Sequence, residues 1–111
     1  MPKTTTLIID ERTVAVSTEE FSSANILRVT VGTNCPHGGD TGHGGRTVLI
    51  LEDLGGTDLR CSCDGGPVSS TQRIEIVLGG DTECDTFIDA LEYAAQTLRL
   101  LSTSHSARNG Q

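Results

Sequence analysis

At Gly79-Gly80 the apolar residues change period from two to 3.6, and this switch constrains the fold more than any other feature of the chain. Upstream, QRIEIVLGG alternates Ile74, Ile76 and Leu78 against Arg73, Glu75 and Val77, as a strand does. Downstream, from Thr82 to about Ser102, Cys84, Phe87, Ile88, Leu91, Ala94, Ala95, Leu98 and Leu101 fall on one helical stripe. Asp81 stands where an N-cap is needed. Glu83 and Asp85 lie at the positive end of the helix dipole and Arg99 lies near the negative end. The spacing predicts a long helix whose stripe lies across a sheet, followed by a flexible tail over 105–111.

Strand patterns occupy most of the chain before that helix. TTLIID and RTVAVST flank Asp10-Glu11 and are expected to pair as a hairpin, with Phe21 to Asn25 as a connection. ILRVTVGT sets Leu27, Val29 and Val31 on one face and Arg28 and Thr30 on the other, the pattern of a half-buried strand. RTVLILEDL is rich in Leu and β-branched residues, and TDLRCSC follows it across Gly55-Gly56, which suggests a further hairpin. DGGPVSS is a second break. The expected fold is α+β: an antiparallel sheet of five or six strands with one C-terminal helix packed on one face, a single domain over 1–104.

A chain of 111 residues buries only about two-thirds of its unfolded surface, and Phe21, Phe87 and Tyr93 are its aromatics, with no Trp. The core must come from Ile, Leu, Val and Ala. One helix cannot cover so wide a sheet, so the uncovered face and the strand edges predict a homo-oligomer.

The strand ILRVTVGT delivers the chain into Asn34 to Arg46, NCPHGGDTGHGGR, which holds five glycines among thirteen residues. Glycines allow positive φ and close approach, so Gly38, Gly39, Gly44 and Gly45 could shape a backbone pocket for an anion. His37 and His43 could donate to phosphate or stack on a ring, and Arg46 could hold phosphate in a bidentate contact. Asp40 could orient His43 or meet a sugar or base, and Asn34 adds a donor and an acceptor at the entrance. Neither a Walker lysine pattern nor a G-x-G-x-x-G turn is present. A plain connection, with His and Asp bonding the loop's own backbone, is the competing reading.

Metal is a rival. Cys35, His37, His43, Cys61 and Cys63 supply enough thiolate and imidazole for tetrahedral zinc if the two segments meet, although C-x-H and C-x-C are not the usual finger or ribbon spacings. Cys61 and Cys63 serve otherwise as small strand residues, and Cys84 belongs to the helix's buried face. Cys35 beside His37 or His43 also has the parts of a thiol nucleophile and base, without a helix N-terminus predicted to lower the thiol pKa. A reaction is the less favoured expectation.

Eight basic against fifteen acidic residues give a formal charge of -7, which disfavours nucleic-acid polymers and anionic lipid as partners. MPKTTTLIID lacks the apolar run of a signal peptide, and the chain holds no run of about eighteen apolar residues, so a cytoplasmic protein is expected.

The segment Val31 to Asp58, VGTNCPHGGDTGHGGRTVLILEDLGGTD, resembles small bacteriophage proteins that share a GGD-x-GHGG loop between strands. Gly38, Gly39, Asp40, Gly42, His43, Gly44 and Gly45 carry that resemblance. It implies a phage protein in the host cytoplasm, similar to the small oligomeric sponges that sequester cyclic-nucleotide signals of antiphage defence. The expected function is therefore non-catalytic binding of a small anionic ligand, a nucleotide above all. The alternative is a zinc-stabilised interaction module that inhibits or adapts a host protein.

Overall fold

The computed structural model describes residues 2–36 and 44–108, with the last five of these, 104–108, described by their backbone alone. Among the described residues seven strands precede one helix: β1 (Lys3–Ile9), β2 (Arg12–Ser22), β3 (Ile26–Thr33), β4 (Arg46–Gly55), β5 (Arg60–Cys61), β6 (Ser69–Ser70), β7 (Arg73–Gly79) and α1 (Asp81–Arg108). Five form an antiparallel sheet in the order β1-β2-β3-β4-β7, and β5 pairs with β6 in a separate ribbon. The architecture is the α+β arrangement expected, a five-stranded antiparallel sheet with one C-terminal helix.

Asp10 and Glu11 turn β1 into β2 with positive φ at both residues, the conformation that matches the twist of a two-residue hairpin. β2 runs through Phe21 to Ser22, so the expected connection shrinks to 23–25. The hairpin expected from TDLRCSC does not form. Asp53 Oδ1 accepts the N–H groups of Gly55 and Thr57, Gly56 takes positive φ, and the chain leaves the sheet. β7, with its apolar Ile74, Ile76 and Leu78, takes the vacated edge of β4 instead.

The register assigns the two faces. Val16, Gly32, Val48 and Val77 are mutual partners across β2, β3, β4 and β7, and Thr18, Thr30, Ile50 and Glu75 form the next row. Ile9, Val14, Val16, Val48 and Ile50 make one buried cluster on this side, joined by Leu7. Gly32 lets β2 press close against β3, because a Cβ there would meet Val16 Cα and Cγ1 at 2.7 Å. The face expected to be inside, Leu27, Val29 and Val31, is half-exposed, and Val31 is 40% accessible. Thr30 is buried in its place and shares its hydroxyl with Thr18 at 2.9 Å.

Farther along the core side the rows turn charged. Glu20, Arg28, Glu52 and Arg73 occupy successive strands; Arg28 Nε donates to Glu52 at 3.0 Å, and Arg73 Nε lies 3.9 Å from the same carboxylate. The hydrogen bond and charge of Glu52 raise the Arg28 pKa. Like signs are thus kept apart across adjacent strands.

α1 starts at Asp81 and continues to Arg108, beyond the Ser102 end that the apolar pattern predicts. Its first turns meet the sheet through buried Cys84 and half-buried Phe87. The rest of the stripe does not lie across the sheet: Ile88, Leu91, Leu98 and Leu101 are exposed. The longest dimension is 54 Å and the radius of gyration 16.4 Å, against about 13 Å for a compact chain of this length. No helix among the described residues is long and apolar enough to cross a membrane.

Candidate functional site

The glycine-rich segment begins and ends where β3 stops, β4 starts and α1 is capped. Backbone bonds hold its two ends together: Asn34 N–H donates to Arg46 O at 3.1 Å, and Gly80 N–H donates to Gly45 O at 2.8 Å. Asn34 Oδ1 accepts the Arg46 N–H at 2.6 Å, while its amide nitrogen donates to Thr13 O at 3.3 Å on β2. Asn34 therefore ties both ends of the loop to the neighbouring hairpin.

Gly44 and Gly45 are buried, and both are glycines for want of space. A Cβ on Gly45 would meet Asn34 Oδ1 and Cys35 Sγ, each at 2.6 Å, and one on Gly44 would meet Asp81 Oδ1 at 3.0 Å. The Gly45 N–H donates to Asp81 Oδ1 at 2.9 Å, so this donor serves the helix cap and is not aimed at a ligand. Asp81 was expected only as an N-cap; its reach to the end of the loop has no local sequence signal.

Arg46 is likewise committed to the protein. Its Nε donates to Asp10 Oδ2 at 2.9 Å and its Nη1 donates to the carbonyls of Gly44 and Gly45 at 3.1 and 3.2 Å. The guanidinium lies over Gly79, where a Cβ would come within 3.2 Å of Nη1. Its side chain is 11% exposed. The expected phosphate contact is thus, in this structure, a clasp between the β1-β2 turn and the loop end. Asp10 is the residue that sequence reasoning missed; a charged turn at positive φ is its only local mark.

Cys35, joined to Pro36 by a cis peptide bond, faces the other side of the same junction. Its Sγ lies 3.8 Å from both Thr47 Oγ1 and Gly80 O, and its N–H donates to Thr33 Oγ1 at 3.1 Å. Thr33 and Thr47 share a hydroxyl hydrogen bond of 3.0 Å, and the Cys84 thiol donates to Thr33 Oγ1 at 3.7 Å. Burial raises the Cys35 pKa, with Asp81 and Cys84 adding to the rise and the two threonines opposing it. The direction of this shift runs against the lowered pKa that a thiolate nucleophile requires.

His37, Gly38, Gly39, Asp40 and His43 lie outside the described residues. The remaining candidate zinc ligands are far from Cys35. Cys61 is on the ribbon and Cys63 just beyond it, and the ribbon leaves β4 at Gly55 and rejoins the sheet at Arg73. Cys35 neighbours the opposite ends of β4 and β7, and β4 is ten residues long, roughly 30 Å of strand. The length of the sheet therefore separates Cys35 from Cys61 and Cys63. Among the described residues, no group of three or more His, Cys, Asp or Glu is placed to hold a metal ion. Arg60 and Arg73 are also remote: Arg60 pairs with Asp58 in the ribbon, and Arg73 belongs to the charged rows.

What this junction can do chemically is hold a short glycine-rich segment at two fixed points beside a helix N-terminus. Comparisons with protein-family models, curated proteins and solved structures gave no match to this chain.

Proposed function

We propose that the chain is a non-catalytic binding protein, acting as a homo-oligomer, which takes up a small anionic ligand of the nucleotide class through the loop between Asn34 and Arg46. One observation carries the reading: both ends of the loop are tied by Asn34, Gly45, Arg46 and Asp81 to three separate elements of the fold. Binding loops are commonly mobile chemistry on a rigid mount, and a loop that only connected two strands would not need this many bonds at its ends. Gly38, Gly39, Asp40 and His43 supply the ligand contacts, with His37 beside them. Arg46 fastens the loop end at Gly44 and Gly45 to Asp10, and its charge adds to the local potential for an anion.

The resemblance to phage proteins with a GGD-x-GHGG loop points to cyclic nucleotides as the first ligands to try. A sponge would retain such a ligand unchanged. Thermal shift with millimolar pyrophosphate, ATP and a panel of cyclic mono- and dinucleotides provides the test, followed by recovery of intact ligand after heat denaturation. A ligand at a hundred times its Kd stabilises by about 2.7 kcal/mol, a readily measured rise in Tm. His43→Ala and Asp40→Ala should each weaken binding by at least about tenfold with the unliganded Tm unchanged. No stabilisation by any member of the panel, or binding indifferent to both substitutions, overturns the proposal.

A further inference from the structure

The part of α1 that leaves the sheet carries an ordered apolar seam. Residues 84, 87, 91, 94, 98 and 101 recur at alternating intervals of three and four, the spacing at which two helices wrap on one another, and the seam positions are Cys, Phe, Leu, Ala, Leu and Leu. Cys84 and Phe87 are used against the sheet. Leu98 is 67% and Leu101 61% exposed, and Ile88 and Leu91 lie open beside them. Ala90, Ala95 and Thr97, which border the seam, are small and uncharged. Asp85, Asp89, Glu92 and Arg99 keep to the outer side, while Glu83 borders the seam in its first turn.

The charges are also sorted along the helix. Asp81, Glu83, Asp85, Asp89 and Glu92 fill the first half, and no acidic residue follows Glu92; Arg99 and Arg108 are in the second half. Two copies side by side in the same direction would stack five carboxylates on five in a chain already at -7. Two copies in opposite directions set the acidic half of each beside the basic half of the other and oppose their dipoles.

We propose that a second copy of this chain covers the seam, with the two α1 helices antiparallel about a two-fold axis that passes between Ala94 and Ala95. This rests on the self-association proposed above and names its surface. Leu91 then meets Leu98 of the partner subunit, Ile88 meets Leu101 of the partner subunit, and the alanines at the axis allow close approach. Arg99 comes level with Ala90 of the partner subunit, between the heights of Asp89 of the partner subunit and Glu92 of the partner subunit. The contact is isologous, so it closes at two copies.

Sedimentation of the full chain from 1 to 100 µM should show a monomer–dimer equilibrium, and Leu98→Asp should raise the dissociation constant at least about 100-fold with the circular-dichroism spectrum unchanged. Direction is read by disulfide trapping in a Cys61→Ser, Cys63→Ser background. Ala94→Cys should cross-link to itself, whereas Leu101→Cys should not, because antiparallel helices hold the two 101 positions about 20 Å apart. A wild-type monomer at 100 µM overturns both the self-association and this surface. A dimer that Leu98→Asp leaves intact retains self-association and overturns the helix seam; efficient Leu101→Cys cross-linking overturns the antiparallel arrangement.

Discussion

The mouth of the glycine loop and the outer half of α1 use the same helix in opposite ways. At its first residue, Asp81 accepts from Gly45 and the neighbouring Gly80 donates to the same glycine, so the cap is fastened to the end of the loop. Nearly five turns later, Leu98 stands two-thirds exposed, its carbonyl accepting from the Ser102 hydroxyl of its own helix. The first region is over-determined by hydrogen bonds between distant parts of the chain. The second has the composition of a core without a core. A site that must present a ligand loop in one geometry needs the first condition, and a surface that awaits a second copy tolerates the second.

The largest effect that could break this contrast is a matched pair of truncations. Ile50→Ala removes a side chain 4% exposed in the main cluster and should cost about 2–5 kcal/mol in urea unfolding. Leu98→Ala, measured at concentrations where the chain is monomeric, should change stability by no more than about 0.5 kcal/mol. Equal costs would mean that the helix stripe is already buried in the monomer. A smaller effect sharpens the loop end of the comparison. Gly45→Ala forces a Cβ onto Asn34 and Cys35 and should cost about 1–3 kcal/mol, a fall of about 4–12 °C in Tm. Gly44→Ala, with its nearest obstacle at 3.0 Å, should cost less.

How much of this was legible follows from which residues speak locally. The helix start was readable because Gly80 and Asp81 are punctuation with a defined chemistry, and the hairpin β1-β2 because apolar and polar residues alternate around two turn residues. The face of β3 that is buried was not readable. Leu27, Val29 and Val31 look like core, but burial went to the row of Thr30 and Gly32, where absence of a side chain lets two strands close. A glycine's value to its neighbours is a property of the register, which sequence does not display. The same holds for Arg46: its type suggested phosphate, while its partners Asp10, Gly44 and Gly45 are set by how the β1-β2 turn and the loop end come together. The separation of Cys35 from Cys61 and Cys63 is a topological result, since these two sit near the loop in sequence and at the other end of a ten-residue strand in space. His37, Asp40 and His43, which carry the chemistry proposed for the loop, lie outside the described residues.

The ends of the glycine loop form a preset mount. Amide hydrogen exchange of the unliganded monomer reads it directly, through the N–H groups of Asn34, Gly45, Arg46 and Gly80. These four should be protected at the level of the β3-β4 ladder, with much faster exchange at Gln96 to Ser102 of α1. Loop-end amides that exchange as fast as an unstructured peptide would contradict it.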